Sequence, residues 1–496
     1  MKKRWVRVVC IVVLLSCLPL TSGRAQAAGG GENPQVAPPG TSDILAIPAA
    51  AFLPGLPEIN YENHGQYLYN LNTNTAAEFF VAGVELPHGA LINQLSFCFY
   101  DDSASKAITA TLYHRAFQGA GVEMASTSST SLANKWETRT TSSITDPLVD
   151  NVHSIYYIQF LLPVSSQTAG DDLRICGATI RYNRPAQPTG ILAIPAVSLT
   201  LPVKSSLADR VGGSLLDRSP FGGYYMGAVN LPGGAQVTKL TLRYKDSNNS
   251  GTPSNATLDL IARDNANAVH TMASVTTSDS SEEVETSDVT IDPTYAQISN
   301  QTQAYYVWLH LPESKKIQGA DYLWVTAILI EYTLPGWSRD RVLHIPPAAF
   351  RSFHDDVVFT NGAFLLHLAG YGQGEPYVAP VYLPQGAKIT YVNFKFYDGS
   401  SETDGTAVMT RVHWQEAATL VDRTTSGSPG NVEGMLAVDP DYEIVDNANY
   451  RYFVYYYLPV SSPHSYPTTG DVAAIGVRVY YQETLCTYLP VVRMQK

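Results

Sequence analysis

Residues 156–163, YYIQFLLP, recur with small changes as YYVWLHLP at 305–312 and as YFVYYYLP at 452–459. In all three copies every second residue, counted from the first tyrosine, is apolar or aromatic, whereas the residues between them vary in polarity. A period of two is typical of a β-strand with one face on a core and the other face free to change. The stretch therefore predicts a strand of a β-domain that the chain contains three times.

Other motifs recur in the same order around this strand. An LPxGA motif begins at residues 86, 231 and 383, and an opening strand reads ILAIP at 44, ILAIP at 191 and VLHIP at 342. A period of roughly 150 residues corresponds to a whole domain rather than to a solenoid unit. Short segments bounded by Gly, Pro, Asn, Asp and Ser, with no helical periodicity, indicate an all-β fold.

We predict three tandem jelly-roll-like β-sandwich domains, because each copy is longer than an immunoglobulin-type sandwich. Their predicted ranges are 44–183, 190–334 and 341–482. The linkers between them are short, so neighbouring repeats are expected to lie side by side.

The first 27 residues are predicted to be a secretory signal peptide. A basic start, MKKRWVR, precedes the apolar run VVCIVVLLSCLPL and the small-residue site Ala25-Gln26-Ala27, which are the three parts of such a peptide. A lipid anchor on Cys17 is the alternative. Residues 28–43 form a Gly/Pro-rich leader, and residues 483–496 form a C-terminal tail that contains Cys486. No later run is apolar enough to predict a transmembrane span in the mature chain, so we expect a secreted or cell-surface protein.

The acidic balance of the chain argues against a nucleic-acid partner. The formal net charge is −12, and loss of the signal peptide removes basic side chains only. Such a surface repels phosphate backbones.

The motifs IPAAAF, LPxGA and YDD or YDG, together with the Tyr-rich strand, resemble those of uncharacterised secreted tandem β-sandwich repeat proteins of environmental bacteria, Chloroflexota in particular. The ending TYLPVVRMQK is similar to the YLPVV-type tails of exported proteins in that group. This resemblance implies export and a β fold over nearly all of the mature chain. It implies no activity and no functional residues.

Aromatic residues on the variable face of the Tyr-rich strand are the candidate ligand-binding residues: Trp308, Tyr455 and Tyr457. An aromatic ring offers an apolar plate with a polar edge, which suits stacking on a sugar ring. The alternative is that these rings pack between neighbouring domains.

Acidic residues recur at strand ends in each copy, and Asp398 and Asp404 in the loop DGSSETD are weak candidates for Ca²⁺ ligands. The alternative is that these aspartates start turns by accepting hydrogen bonds from nearby backbone. We assign no catalytic residues. No known catalytic motif is present, and the His354-Asp355-Asp356 cluster occurs in one copy only.

Cys98 and Cys176 occur in the first copy only and are a candidate disulfide, which an extracellular location permits. The alternation of side chains between the two faces of a strand argues against the bridge, because it places Cys98 on the variable face and Cys176 on the core face. Cys486 is an additional candidate partner.

The sequence thus favours an exported, non-enzymatic protein whose domains bind a polysaccharide or another envelope component. The first alternative is a structural surface-layer or appendage component built by self-association, with the repeats related by pseudo-threefold symmetry. The second alternative is a polysaccharide hydrolase or lyase.

Overall fold

The structure is a computed structural model that describes residues 42–483 except for several short segments. These segments are 57–58, 65, 72–76, 117–118, 130–134, 167–171, 185–189, 201–207, 212–213, 218–221, 247–254, 265–267, 279, 313–322, 334–339, 353–366, 369–375, 414–415, 428–429 and 462–470. The predicted signal peptide, most of the leader, the His354 cluster and the C-terminal tail lie outside the described residues.

Among its described residues, the first repeat contains eleven strands: β1 (Ser42–Pro48), β2 (Leu53–Pro54), β3 (Tyr61–Asn63), β4 (Leu68–Asn70), β5 (Glu78–Val84), β6 (Leu91–Asp101), β7 (Thr109–Ala116), β8 (Gly121–Ser128), β9 (Trp136–Thr141), β10 (Ser154–Leu162) and β11 (Leu173–Asn183). The second repeat contains β12 (Gly190–Pro195), β13 (Ala208–Val211), β14 (Ser214–Asp217), β15 (Gly223–Ala228), β16 (Gln236–Asp246), β17 (Thr257–Asp264), β18 (Val269–Thr276), β19 (Ser280–Asp288), β20 (Gln303–Leu311) and β21 (Leu323–Thr333).

The third repeat contains β22 (Asp340–Ile345), β23 (Arg351–Ser352), β24 (His367–Leu368), β25 (Pro376–Pro380), β26 (Lys388–Asp398), β27 (Thr406–His413), β28 (Glu416–Thr424), β29 (Gly430–Ala437), β30 (Arg451–Tyr457), β31 (Val460–Ser461) and β32 (Val472–Gln482). A single 3-10 turn follows the first strand of each repeat, at Ala49–Ala51, Ala196–Ser198 and Pro347–Ala349. No helix among the described residues has the length and apolar character needed to cross a membrane.

These strands form two main sheets in each repeat. Sheet A has the order β3-β4-β11-β6-β9 with β1 also paired to β11, and sheet B has the order β2-β5-β10-β7-β8. Sheet C is β13-β14-β21-β16-β19 with β12 on β21, and sheet D is β15-β20-β17-β18. Sheet E is β22-β32-β26-β29, and sheet F is β23-β25-β30-β27-β28. The chain crosses repeatedly between the two sheets of a repeat, and the short pair β24-β31 lies outside them.

Each repeat has a hydrophobic core between its own two sheets. In the first repeat Phe97 of sheet A and Phe160 of sheet B lie 5.7 Å apart, measured between ring centroids. In the third repeat Phe396 of sheet E and Tyr456 of sheet F are 5.1 Å apart in an edge-to-face arrangement. The side chains that the period of two in the Tyr-rich strand assigns to a core do lie in these cores.

The other face of sheets B, D and F packs on the next repeat. Ile155 of sheet B contacts Ala327 and Leu329 of sheet C. At the junction of the third and first repeats, Phe453 and Tyr455 of sheet F pack with Ala50 of the first 3-10 turn. Because the third repeat contacts the first, the six sheets form a closed ring, and we call each junction between repeats a seam.

A buried asparagine occupies the same position at each seam. Its side-chain amide donates one hydrogen bond within its own repeat and one to the first strand of the next repeat. The acceptors are Leu86 O (2.8 Å) and Ile191 O (3.2 Å) for Asn151, Leu231 O (2.8 Å) and Val342 O (2.7 Å) for Asn300, and Leu383 O (2.7 Å) and Ile44 O (2.9 Å) for Asn447. The three seams therefore share one contact, and the ring has pseudo-threefold symmetry.

The prediction of an all-β chain is confirmed. The arrangement differs from three separate sandwiches in tandem, since six sheets face one another around a ring, as the blades of a propeller do. The physical reason is that both faces of sheets B, D and F carry apolar side chains over part of their length. One face is buried within the repeat and the other is buried at the seam.

Candidate binding surface

Each repeat exposes an aromatic side chain at one of two paired positions that are equivalent in the three repeats. The exposed fractions are 47% for Phe79, 49% for Tyr224 and 40% for Tyr457. Phe79 pairs with Leu161, Tyr224 pairs with His310, and Pro376 pairs with Tyr457 in the ladders that join β5, β15 and β25 to β10, β20 and β30. Phe79 and Tyr224 thus occupy equivalent positions. In the third repeat Pro376 occupies that position, and the exposed ring is that of Tyr457 on the paired strand.

On the next two strands of each sheet, the residues opposite these pairs are Ser or Thr. Residues directly opposite each other on neighbouring strands share a face of the sheet. We call each set an aromatic row: row 1 is Phe79, Leu161, Thr109 and Ser128; row 2 is Tyr224, His310, Thr257 and Thr276; row 3 is Pro376, Tyr457, Thr406 and Thr424.

The hydroxyl end of a row is held in place by hydrogen bonds. Thr109 Oγ1 lies 3.0 Å from Ser128 Oγ in row 1, and Thr406 Oγ1 lies 3.0 Å from Thr424 Oγ1 in row 3. Four strands at a spacing of about 4.8 Å make a row about 14 Å long. A row therefore offers an aromatic plate at one end and hydroxyl donors and acceptors at the other.

Row 2 has the most aromatic surface. The Tyr224 ring stacks on the His310 ring with centroids 4.5 Å apart, and it meets the Trp308 indole edge-to-face at 5.7 Å. Trp308 is half-buried and lies two residues before His310, on the same face of β20. The structure thus places the predicted residue Trp308 beside row 2.

Tyr224 and Phe79 were not predicted from the sequence, although a signal for them exists. Aligned on the LPxGA motif, the preceding strands read FFVAGVELP from 79, YYMGAVNLP from 224 and PYVAPVYLP from 376. The first position of each nonapeptide is the start of a row. Pro376 interrupts the aromatic series in the third copy, and there Tyr457 on the paired strand supplies the ring.

The structure separates the two remaining aromatic candidates. Tyr455 is only 5% exposed and packs with Val378, Phe453 and Ala50 at the seam between the third and first repeats. Its burial raises the pKa of the phenol above the usual range. Tyr455 offers no face to a ligand, so its position agrees with the packing alternative. Tyr457, two residues further on, extends beyond the seam into row 3.

Cys98 and Cys176 are disulfide-bonded in the structure, with their Cα atoms 5.3 Å apart. The parity argument against this pair was wrong because a β-bulge interrupts β11. Ile175 pairs with Phe99 and Gly177 pairs with Cys98, so Cys176 is the extra residue. The bulge moves Cys176 to the outer face, where it clusters with Cys98. Gly177 has φ 123°, and a Cβ atom there would lie 2.2 Å from Ile47 O.

The candidate Ca²⁺ ligands accept hydrogen bonds from backbone in the structure. Asp398 is buried, and its Oδ1 accepts a hydrogen bond from Ser400 N at 3.0 Å. Asp404 is exposed, and its Oδ1 accepts one from Gly427 N at 2.9 Å. Within the described part of the chain no group of three or more His, Cys, Asp or Glu side chains is placed to hold a metal ion. A Ca²⁺ site stays a prediction.

No protein-family model and no curated protein matches the chain. Among solved structures, the chain is similar to the N-terminal CBM22-1–CBM22-2 tandem domain of Xyn10C from Paenibacillus barcinonensis, with 12% identity, a TM-score of 0.20, and coverage of 60% of this chain and 99% of the other. The similarity to an isomalto-dextranase from Arthrobacter globiformis T6 complexed with panose has 10% identity, a TM-score of 0.21, and coverage of 54% and 37%.

The insecticidal delta-endotoxin Cry8Ea1 from Bacillus thuringiensis matches with 9% identity, a TM-score of 0.21, and coverage of 81% of this chain and 54% of the toxin. At these TM-scores the similarities establish neither a shared fold nor a shared function. A functional assignment for this chain therefore has to rest on its three aromatic rows.

Proposed function

We propose that the protein is a secreted, non-enzymatic polysaccharide-binding protein. Three jelly-roll-like sandwiches, joined into one ring, hold three aromatic rows as binding sites for sugar residues. The observation that carries the proposal is that all three repeats have two hydroxyl positions at the same register, beside a residue pair that holds one exposed ring.

A row suits a sugar for two reasons. The C–H face of a pyranose stacks on an aromatic plate, and hydroxyl side chains exchange hydrogen bonds with the hydroxyls of the sugar. A single exposed ring supplies little binding energy, so each row alone is expected to bind a short oligosaccharide with Kd on the order of millimolar. A polymer that engages two or three rows gains about 10²–10⁴-fold from effective concentration.

The test is retention of the mature chain, residues 28–496, on a panel of insoluble and soluble polysaccharides. The variants are Phe79→Ala, Tyr224→Ala and Tyr457→Ala, singly and together. Tyr391→Ala is the matched control, because Tyr391 is a tyrosine on β26 that is 45% exposed and lies outside the rows. We expect each single variant to bind more weakly, the triple variant to lose retention, and the control to bind as the parent chain does.

Failure of the folded parent chain to bind any polysaccharide would contradict the proposal, and so would full binding by the triple variant. Reducing-sugar release from a bound polysaccharide would instead favour the hydrolase alternative. The surface-layer alternative requires self-association. The ring already uses the seam faces of all three repeats internally, so such assembly would have to use other surfaces, and concentration-dependent scattering would detect it.

A further inference from the structure

A cavity of about 150 Å³ lies at the seam between the third and first repeats. Arg451, Asn449 and Phe453 line it from the third repeat. The Cys98–Cys176 disulfide and Thr138 line it from the first. The lining also includes the exposed Ala448, so the cavity reaches the protein surface and a ligand can enter without opening the ring.

Arg451 is the charged group of this cavity. Its Nη2 donates to Thr179 Oγ1 at 2.7 Å, and its Nη1 lies 3.4 Å from Tyr450 O. Its Nε is buried and has no hydrogen-bond acceptor among the described residues. Burial lowers the pKa of Arg451 to about 10, which still leaves the guanidinium charged at neutral pH.

No acidic side chain of the described residues lines the cavity. Arg451 is half-buried, and such a cation without a counter-charge is unfavourable, because the charge loses part of its hydration and gains no partner. An anion in the cavity would supply that partner, and the planar guanidinium fork matches a carboxylate in particular.

The corresponding seam between the second and third repeats has a much smaller cavity, whose lining holds the cations Arg263, Lys395 and Arg478 together with Asp264. Register places Ala304 where the third repeat has Arg451, since Ala304 pairs with Arg263 and Arg451 pairs with Val412. The cavity at that seam has a volume of about 10 Å³, which is the space of about one water molecule. Of these two seams, the one between the third and first repeats therefore has the larger cavity, and the lining of that cavity includes no acidic side chain among the described residues.

We infer that the cavity between the third and first repeats binds a hexuronate, which is a single sugar ring that carries a carboxylate and several hydroxyls. Arg451 takes the carboxylate, Thr138 and Asn449 reach the hydroxyls, and Phe453 provides an apolar wall. A cavity of about 150 Å³ holds a ring of the size of benzene, so the ring substituents of a hexuronate would extend through the opening beside Ala448. The site is separate from the aromatic rows and does not depend on the proposed function.

The experiment is isothermal titration of the mature chain with glucuronate, with gluconate, glucose, sulfate and phosphate as further arms. We expect glucuronate to bind at least tenfold more tightly than glucose. Arg451→Met is expected to weaken the binding of glucuronate at least tenfold. Arg139→Met is the matched control, because Arg139 is adjacent in sequence to Thr138 but lies outside the cavity lining, and it is expected to leave the affinity unchanged.

Two further measurements keep the test independent of folding. Without ligand, Arg451→Met should melt close to the melting temperature of the parent chain, because removal of a half-buried charge offsets loss of the hydrogen bond to Thr179 Oγ1. Glucuronate should no longer raise the melting temperature of this variant. Thr138→Val removes one hydroxyl at an exposed position and should weaken the binding of glucuronate about three- to tenfold.

The inference is overturned by absence of glucuronate binding to the folded parent chain, or by binding that Arg451→Met leaves intact. Equal affinity for sulfate or phosphate would overturn the assignment of a sugar carboxylate. The triple variant of the aromatic rows should retain glucuronate binding, so failure of the rows and failure of this cavity are distinguishable.

Discussion

Replacing Asn447 by alanine should weaken the seam that closes the ring. The Asn447 side chain is 3% exposed, and its amide donates to Leu383 O at 2.7 Å and to Ile44 O at 2.9 Å. Alanine removes both donors and leaves two buried carbonyl groups without these partners. At about 1–3 kcal/mol for each buried group left unsatisfied, the free energy of unfolding should fall by about 2–6 kcal/mol.

The assay is denaturant unfolding of the mature chain followed by tryptophan fluorescence and far-UV circular dichroism. Asn431→Ala is the control, because Asn431 lies exposed on β29, where a substitution changes stability by less than about 0.5 kcal/mol. A folded Asn447→Ala variant whose unfolding midpoint matches that of Asn431→Ala would refute the reasoning.

The equivalent variants Asn151→Ala and Asn300→Ala separate loss of hydrogen bonds from loss of closure. All three asparagines make the same pair of bonds, so the three losses of stability should be similar. The first two seams are also joined by the continuing chain, whereas the third is not. Only Asn447→Ala should therefore increase the hydrodynamic radius below the main unfolding transition.

Two further predictions concern pH and oxidation state. His344 is buried at the second seam, where burial and the nearby Arg478 lower its pKa from 6.5 to about 3. The unfolded chain then binds a proton that the folded chain does not, so the free energy of unfolding should fall by up to about 1.4 kcal/mol per pH unit between pH 6.5 and 3. In pH-dependent melts, His344→Asn should flatten this slope, and an unchanged slope would contradict the assignment. The Cys98–Cys176 bridge spans a sequence separation of 78 residues. Its reduction should therefore lower the free energy of unfolding of the parent chain by about 2–5 kcal/mol. The double serine variant should show no such sensitivity, and equal sensitivity would count against the bridge.

The strands and their repetition were predictable because each repeat supplies its own internal comparison. The period of two at 156–163 assigns Phe160 to the core, and the copies at 305 and 452 give the same assignment. The parity count failed at Cys176 because one extra residue in β11 reverses the face of everything beyond it. Nothing in the alternation of apolar residues marks such a bulge, although the neighbouring Gly177 is the residue that tolerates it.

The seams could not be read from the sequence because their partners are far apart in the chain. Asn447 bonds Ile44 across a separation of 403 residues. Burial of Tyr455 and exposure of Tyr457 depend on where the seam ends, and both residues look alike as members of a Tyr-rich strand. The aromatic rows appear only when strand register is known, since each row joins residues from four strands.

The closed ring of six sheets is the claim on which the three equivalent rows and the seam cavity depend, and small-angle X-ray scattering of the mature chain tests it most directly. A closed ring is compact and should give a radius of gyration of about 23 Å, whereas three separate domains in a line would give about 34 Å. A value near 23 Å that does not change with protein concentration agrees with the ring. A value above about 30 Å would show that the third repeat does not close on the first.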